Sequence, residues 1–560
     1  MGELAVWWLA IEIVCIVALP LTALVCTNLP GRGWPLAKPL GVLTLGWLIW
    51  FPLASVSALP YSSGWIAGVF VVYAAGNAAL LWRAPRVRAA LMRLLQRERA
   101  YLIASELVFA ASFAFMGWFR SFTPAVKDTE KFMDVAFISA LWRAPHLPAT
   151  DPWLSGFPIN YYYFGHYLVA TLAKALGTQP AVAFNCGIAL VFALTAVAVF
   201  GVGSALYAAA RRAGATLART IPVGIASTLL VLVLGNLAGC GEWWKEVQGI
   251  VASNPRELGS NPWAFWLHPN LWQTYFYWPP SRVIPGTINE FPAFSFTLAD
   301  LHAHILALPF AALAVGLALN LVLGRGAGLR AFGRDATRWL ALVATAVCIG
   351  GLYAINGWDL PTYLGLALLA LALQQWIAHG RAWSAEFVLN TLAAGAVLAV
   401  LCLIVYLPFY AGFVSPGQGF GIVPPDQRSP IGDEFQIYGL YAFILFSLLA
   451  LWLGRRLTSA FRDRVAEAAP GSVWWTIRGH EAEAAAVAVG APLALLLLLT
   501  HASAGAGVWT LLWCVVVIAV CVALARARLA NDPVPGGSPS PRREREPGGE
   551  DPSGEAPRVW

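Results

Sequence analysis

Long apolar runs separated by short polar or basic stretches occupy most of the chain. A helix needs about 20 apolar residues to cross a hydrocarbon core roughly 30 Å thick. Runs near that length occur at 5–26, 40–59, 65–82, 101–119, 181–210, 221–240, 301–323, 339–355, 360–377, 387–410, 437–453, 484–500 and 508–525. Several are apolar all round, so no buried face can be read from their periodicity. The run 161–178 is shorter and ambiguous. The pattern predicts an all-α polytopic membrane protein with about 13 transmembrane helices, or 14 if 161–178 also crosses.

Arginine clusters orient the runs. Residues 83–99 hold Arg83, Arg86, Arg88, Arg93, Arg97 and Arg99, and 325–338 and 455–478 are similarly basic. Positive loops stay on the cytoplasmic side. The N-terminus then falls outside, as do 120–160, 241–299 and 411–436. The segments 120–160 and 241–299 can share a side only if an even number of spans separates them. Three runs lie between, so one should not cross, and 161–178 is the first suspect. The stretch 83–99 reads as a basic amphipathic helix on the inner leaflet. The expected organisation is a three-helix membrane block at 1–82, the basic linker 83–99, and a membrane core at 100–455 with its outer loops. A cytoplasmic loop with the last two helices follows at 456–526, then a disordered cytoplasmic tail at 527–560. The last 30 residues contain seven prolines, five glycines and ten charged residues, too little apolar surface to offset chain entropy.

Composition narrows the class further. The chain is 59% hydrophobic and 12% charged, against about 25% charged for soluble domains. Lipid is therefore its main solvent, and a multi-pass plasma-membrane protein is expected. No CxxC pair, P-loop or dinucleotide fingerprint occurs. The basic loops are accounted for by topology and anionic lipid, so no nucleic-acid partner is expected.

Candidate chemistry clusters in one third of the chain, where five of the eight histidines fall within 120–304. In KDTEKFMDVAFISALWRA (127–144), Glu130 and Asp134 would share a helix face, with an apolar stripe of Met133, Ala136, Phe137, Ala140 and Leu141. Such carboxylates can act as base and partner or hold a divalent cation. The plainer alternative is a solvated interfacial helix whose acids pair with Lys127 and Lys131. In DPWLSGFPINYYYFGHYL (151–168), Trp153, Tyr161, Tyr162 and Tyr163 could form an aromatic platform beside His166, or simply sit at the interface. In 282–310, Arg282, Glu290, Asp300, His302 and His304 stand close in sequence. On a helix Asp300 and His304 face one way; on an extended segment His302 and His304 do. Asp plus two His suits a transition metal or phosphate, so a divalent metal is a candidate cofactor. Asp359, before Pro361, is either a helix N-cap or a site residue. Glu12 and Glu106 lie within spans, where interhelical hydrogen bonds are expected.

EKFMD (130–134), DPWLSG (151–156), INYYYFGH (159–166), RVIPGTINEFPAFSF (282–296), DLHAH (300–304) and NGWDLPTY (356–363) closely resemble the YYY-domain membrane proteins, a largely uncharacterised family. More distantly, a span ending near FMGWFRSF, then DTE, an interfacial helix and an aromatic re-entry is similar to the GT-C glycosyltransferases of the protein mannosyltransferase type. That resemblance implies transfer of a sugar from a polyprenyl-phosphate donor to an acceptor hydroxyl on the outer side. It implies a catalytic acid in the first large outer loop, where Glu130 fits best, with Asp128 and Asp134 as alternatives because Thr129 interrupts the usual acid pair. Three helices precede the span where such a core would begin. A transporter or lipid flippase and a non-catalytic envelope-assembly scaffold are the rival expectations.

Overall fold

The structure, a computed structural model, describes residues 2–211, 216–253, 278–333, 335–415 and 427–467, with 424 and 472 singly. Among these the protein is helical throughout, with no strand and one isolated bridge, Thr150 to Pro158. Helices α1 (Gly2–Val25), α2 (Ala37–Ser55) and α3 (Ser63–Arg83) are followed by α4 (Pro85–Arg97) and α5 (Arg99–Ser121). The short α6 (Lys131–Arg143) and α7 (Phe164–Leu176) precede α8 (Pro180–Ala210), α9 (Ile221–Leu232) and α10 (Leu237–Ser253). Then come α11 (Pro292–Leu298), α12 (Ala303–Val322), α13 (Thr337–Ile355), α14 (Asp359–Ala378), α15 (Ala385–Ile404), α16 (Leu407–Gly412) and α17 (Ile431–Ala466).

By length and composition, nine of the described helices can cross a membrane, or ten if a bent pair counts as one span. That pair is the run 221–240, expected to be continuous. It breaks between α9 and α10 with a 68° bend. Asn236 explains the break, since its side chain accepts from Gly239 N and donates to Pro280 O at 2.7 Å. A side chain that satisfies backbone groups this way competes with a continuous helix. The run 387–410 likewise divides into α15 and α16, and 437–453 lies within α17. The runs 484–500 and 508–525 and the tail fall outside the described residues.

Hydrogen bonds between helix ends settle the parity conflict. Arg120, at the end of α5, donates to Asn185 Oδ1 near the start of α8 at 2.7 Å. At the opposite end, Leu217 N, just past α8, donates to Glu98 at the start of α5. Helices α5 and α8 are thus antiparallel neighbours, and everything between them begins and returns at one end of the bundle. Helix α7, at 13 residues, is about 20 Å long and does not cross. The end that holds Asn185 also holds Glu3, bonded to Thr178. The far end holds Asn28 bonded to Asn320, with Arg86 acting on Asp335. Two of the arginine-rich loops therefore meet at one end.

Helix α4 spans the arginine-rich stretch, and its apolar residues divide: Val87, Leu91 and Leu94 turn to the bundle, whereas Met92 and Leu95 are exposed. Val87 and Leu91 pack with Ala23 of α1, and Leu94 packs with Tyr101 and Leu102 of α5. One core then runs through the bundle, from Trp7, Leu40 and Trp50 through Phe164 and Val197 to Leu313, Ile349 and Phe409. The N-terminal three helices contribute to that core directly.

Candidate functional site

The site forms where three short-range breaks in helicity converge at the Asn185 end. Asp128 and Thr129 have φ of 69° and 52°, the left-handed region that L-residues avoid. Two such residues in succession turn the chain sharply into α6. Residues 159–162 are non-helical, and Tyr163, in the right-handed region, caps α7. Residues 299–302 form a non-helical corner, with Ala299 at φ 58° and His302 extended ahead of α12. These corners aim side chains from distant parts of the chain at each other.

His302 is the hub. Its Nδ1 lies 2.8 Å from Glu130 Oε2 and 3.9 Å from Asp134 Oδ1. Its Nε2 shares a hydrogen bond with the Tyr161 hydroxyl at 3.0 Å. Nδ1 faces the carboxylates without completing a hydrogen bond, and Nε2 faces the Tyr161 hydroxyl. Behind this layer, His166 Nε2 lies 2.9 Å from Asp134 Oδ1, and both side chains are fully buried. Burial pushes the His166 imidazole down to about 4, so at neutral pH it is uncharged and donates to Asp134.

Asp134 and Asp300 interact through their carboxyl groups. Burial raises both above the ordinary carboxylate range, and the Asp134 charge raises Asp300 further. Asp134 Oδ2 and Asp300 Oδ1 are buried acceptors with no donor in reach. Two close buried carboxyls disfavour both being charged, so the pair favours sharing a proton.

A second cluster adjoins the first. His304 Nε2 lies 3.2 Å from Glu290 Oε2 and 3.3 Å from Ser295 Oγ, and Ser295 donates to Glu290 at 2.8 Å. Burial pushes Glu290 up, but bonds from His304 and Ser295, with the His304 and Arg282 charges, outweigh it and hold its carboxyl below the usual range. Arg282 stacks on Trp278, 4.4 Å from the ring centre. The His302 and His304 rings are 5.4 Å apart, and Asp359 lies within electrostatic reach of His304.

Several expectations need correction. Glu130 and Asp134 do come to one side, both reaching His302 Nδ1, but they differ in exposure. Glu130 precedes α6 with its side chain 59% exposed, whereas Asp134 lies on the buried face with Phe137, Ile138 and Leu141. That face is rotated from the expected stripe because α6 packs on α7. Asp128 is exposed and acts electrostatically on Lys131. Asp300 does not pair with His304 at helical spacing, because α12 begins only at Ala303; it turns to Asp134 instead. Asp359 is the first residue of α14, with Trp358 in the cap position.

The three tyrosines do not form one platform. Tyr161 stacks on Phe137, 5.2 Å between ring centres. Tyr162 packs against Phe413 and covers Gly357, where a Cβ would meet its ring at 2.5 Å. Tyr163 is buried and accepts from Trp50 Nε1. The chain bends at Tyr161 and enters the helix at Tyr163, so the three side chains point in different directions. Trp153, 60% exposed, meets Phe137 edge-on.

Asp300, His302 and His304 were the candidate metal ligands. Each imidazole is turned to a different carboxylate, and among the described residues no three His, Cys, Asp or Glu side chains are arranged around a common ion. Ser295 was not singled out in the sequence. Its signal was weak: a small polar residue five positions after Glu290 in an apolar stretch.

No curated protein and no solved structure matches the chain. Residues 44–532 match the family described as "Uncharacterized membrane protein (DUF2298)", a span that takes in every residue of the site. The chain belongs to that family of membrane proteins.

Proposed function

We propose that this protein is a membrane glycosyltransferase that moves a sugar from a polyprenyl-phosphate donor to an acceptor hydroxyl on the extracytoplasmic side. The observation that carries the proposal is the convergence of an exposed carboxylate, Glu130, with His302 and Tyr161 above a buried acid pair. The resemblance of the span ending near FMGWFRSF, the DTE, the interfacial helix and the aromatic re-entry to GT-C enzymes supplies the reaction class. Glu130 takes the proton of the acceptor hydroxyl, whose oxygen attacks the anomeric carbon. The bond from that carbon to the prenyl phosphate breaks, and the phosphate departs with the electron pair. Arg282 and the imidazoles of His302 and His304 are the groups that can face its charge. His166, Asp134 and Asp300 position His302 from behind and do not touch substrate.

General-base catalysis of this kind contributes about 10²–10⁴-fold. Glu130→Gln is therefore expected to lose about that factor in transfer from a radiolabelled prenyl-phosphate sugar, while inserting normally. Undiminished transfer in that variant would remove Glu130 from the chemistry. One observation favours a transporter instead: buried Lys38 forms an ionic cluster with the partly buried Glu12 and Glu106 within spanning helices. Substrate counterflow in vesicles without product would support that alternative.

A further inference from the structure

A cavity of about 290 Å³ lies between the N-terminal helices and the core, lined by α1, α2, α3, α7, α8 and α12. Its walls are apolar, with Ile13, Phe70, Leu168 and Leu306 among them, and the hydroxyls it meets belong to Ser63 and Thr171. Both hydroxyls are engaged. Ser63 donates to Lys174 O, and Thr171 shares a hydrogen bond with Tyr61. Water in a cavity needs two to four polar partners, so this one does not hydrate. Its volume is about twice that of a cavity of roughly 150 Å³ that binds benzene, room for about ten to twelve chain carbons.

The cavity has a lateral mouth. Ile13 on α1 is 43% exposed, and Ala67 on α3 and Ala175 on α7 are exposed too. Helices α1 and α3 are apolar spans, so what faces them there is bilayer hydrocarbon. We propose that the cavity is a binding site for one acyl chain of a bilayer phospholipid, entering between α1 and α3. The position of the mouth argues against a substrate tail. Ala175 lies nine residues along α7 from His166, about 13 Å at the helical rise. A chain entering there meets α7 more than two turns away from His166. The chain fills the back of α7, the helix that holds His166 against Asp134, and joins it to α1 and α3. This site stands independently of the transferase proposal.

The test uses the full-length protein in phosphatidylethanolamine–phosphatidylglycerol vesicles, with a phosphatidylcholine carrying a diazirine in its acyl chain as probe. After photolysis, peptide mapping should find label on the cavity residues of α1, α3 and α7 at about tenfold the density on Leu389 and Leu392, which are lipid-facing on α15. Ala67→Trp should lower the cavity label about tenfold and leave the α15 label unchanged. Should that variant fail to fold, Ala175→Phe closes the same mouth, and excess unlabelled phosphatidylcholine should compete for the cavity in the natural protein. Equal label density on cavity and α15 overturns the proposal, as does label that neither variant nor competitor reduces. Displacement of the acyl probe by polyprenyl phosphate at about tenfold lower concentration than by phosphatidylcholine also overturns it, by assigning the cavity to a substrate tail.

Discussion

Replacing Asp134 in two ways tests the shared proton. Asparagine keeps the shape of a protonated carboxyl: its oxygen can accept from His166, and its amide can donate to Asp300. Leucine keeps the volume and removes both partners. Asp134 is completely buried and its bond to His166 is 2.9 Å, so Asp134→Leu leaves a buried imidazole and a buried carboxyl without their partner. Each orphaned group costs about 1–3 kcal/mol, so the Leu variant should lose about 2–6 kcal/mol and the Asn variant less than about 1. Thermal unfolding in detergent, followed by tryptophan fluorescence, measures the difference.

The pH dependence supplies the sign. A carboxyl whose folded pKa is raised stabilises the fold below its unfolded pKa, and that stability is lost as pH rises through the folded value. Asp134 and Asp300 are both raised, so they make the protein less stable as pH climbs from about 4 past neutrality. His166, held down to about 4, acts oppositely: its burial costs stability as pH falls from about 6.5. Of these groups, the acid pair and not His166 contributes a fall on the alkaline side. Asp134→Asn should flatten it, because Asp300 no longer faces a second carboxyl. An Asn variant as unstable as the Leu variant, or an unchanged alkaline slope, would refute the shared proton.

Two further outcomes follow from packing and charge. Lys38→Met leaves Glu12 and Glu106 without their cation and should cost about 3–5 kcal/mol; adding Glu12→Gln and Glu106→Gln to the same chain should recover most of the lost unfolding temperature. Gly357→Ala places a methyl 2.5 Å from the Tyr162 ring and should cost about 1–3 kcal/mol by overpacking, with Tyr162→Ala in the same chain relieving the loss in a thermal-shift measurement.

The sequence by itself determined the class of protein and most of its frame. Apolar runs near 20 residues leave a chain no stable alternative to helices in lipid, and α1, α3, α5, α8, α12, α13 and α14 lie where those runs place them. Arginine-rich loops gathered 83–99 and 325–338 at one end because charge cannot be left in hydrocarbon. The interhelical role of Glu12 and Glu106 was legible for the same reason. Chemistry-bearing residues were also visible as types: Glu130, Asp134, His166, Asp300, His302 and His304 all stand in the cluster.

Their pairing was decided only by tertiary structure. Periodicity put Glu130 and Asp134 together, but the face of α6 that turns inward depends on its contact with α7, which no local pattern encodes. Asp300 met Asp134 rather than His304 because the chain turns at Ala299, a left-handed residue in an otherwise ordinary apolar stretch. The separation of the three tyrosines, the break at Asn236 and the apolar chamber behind α7 have the same origin. Each depends on which neighbour satisfies a backbone group or fills a space, and those neighbours are tens to hundreds of residues away along the chain.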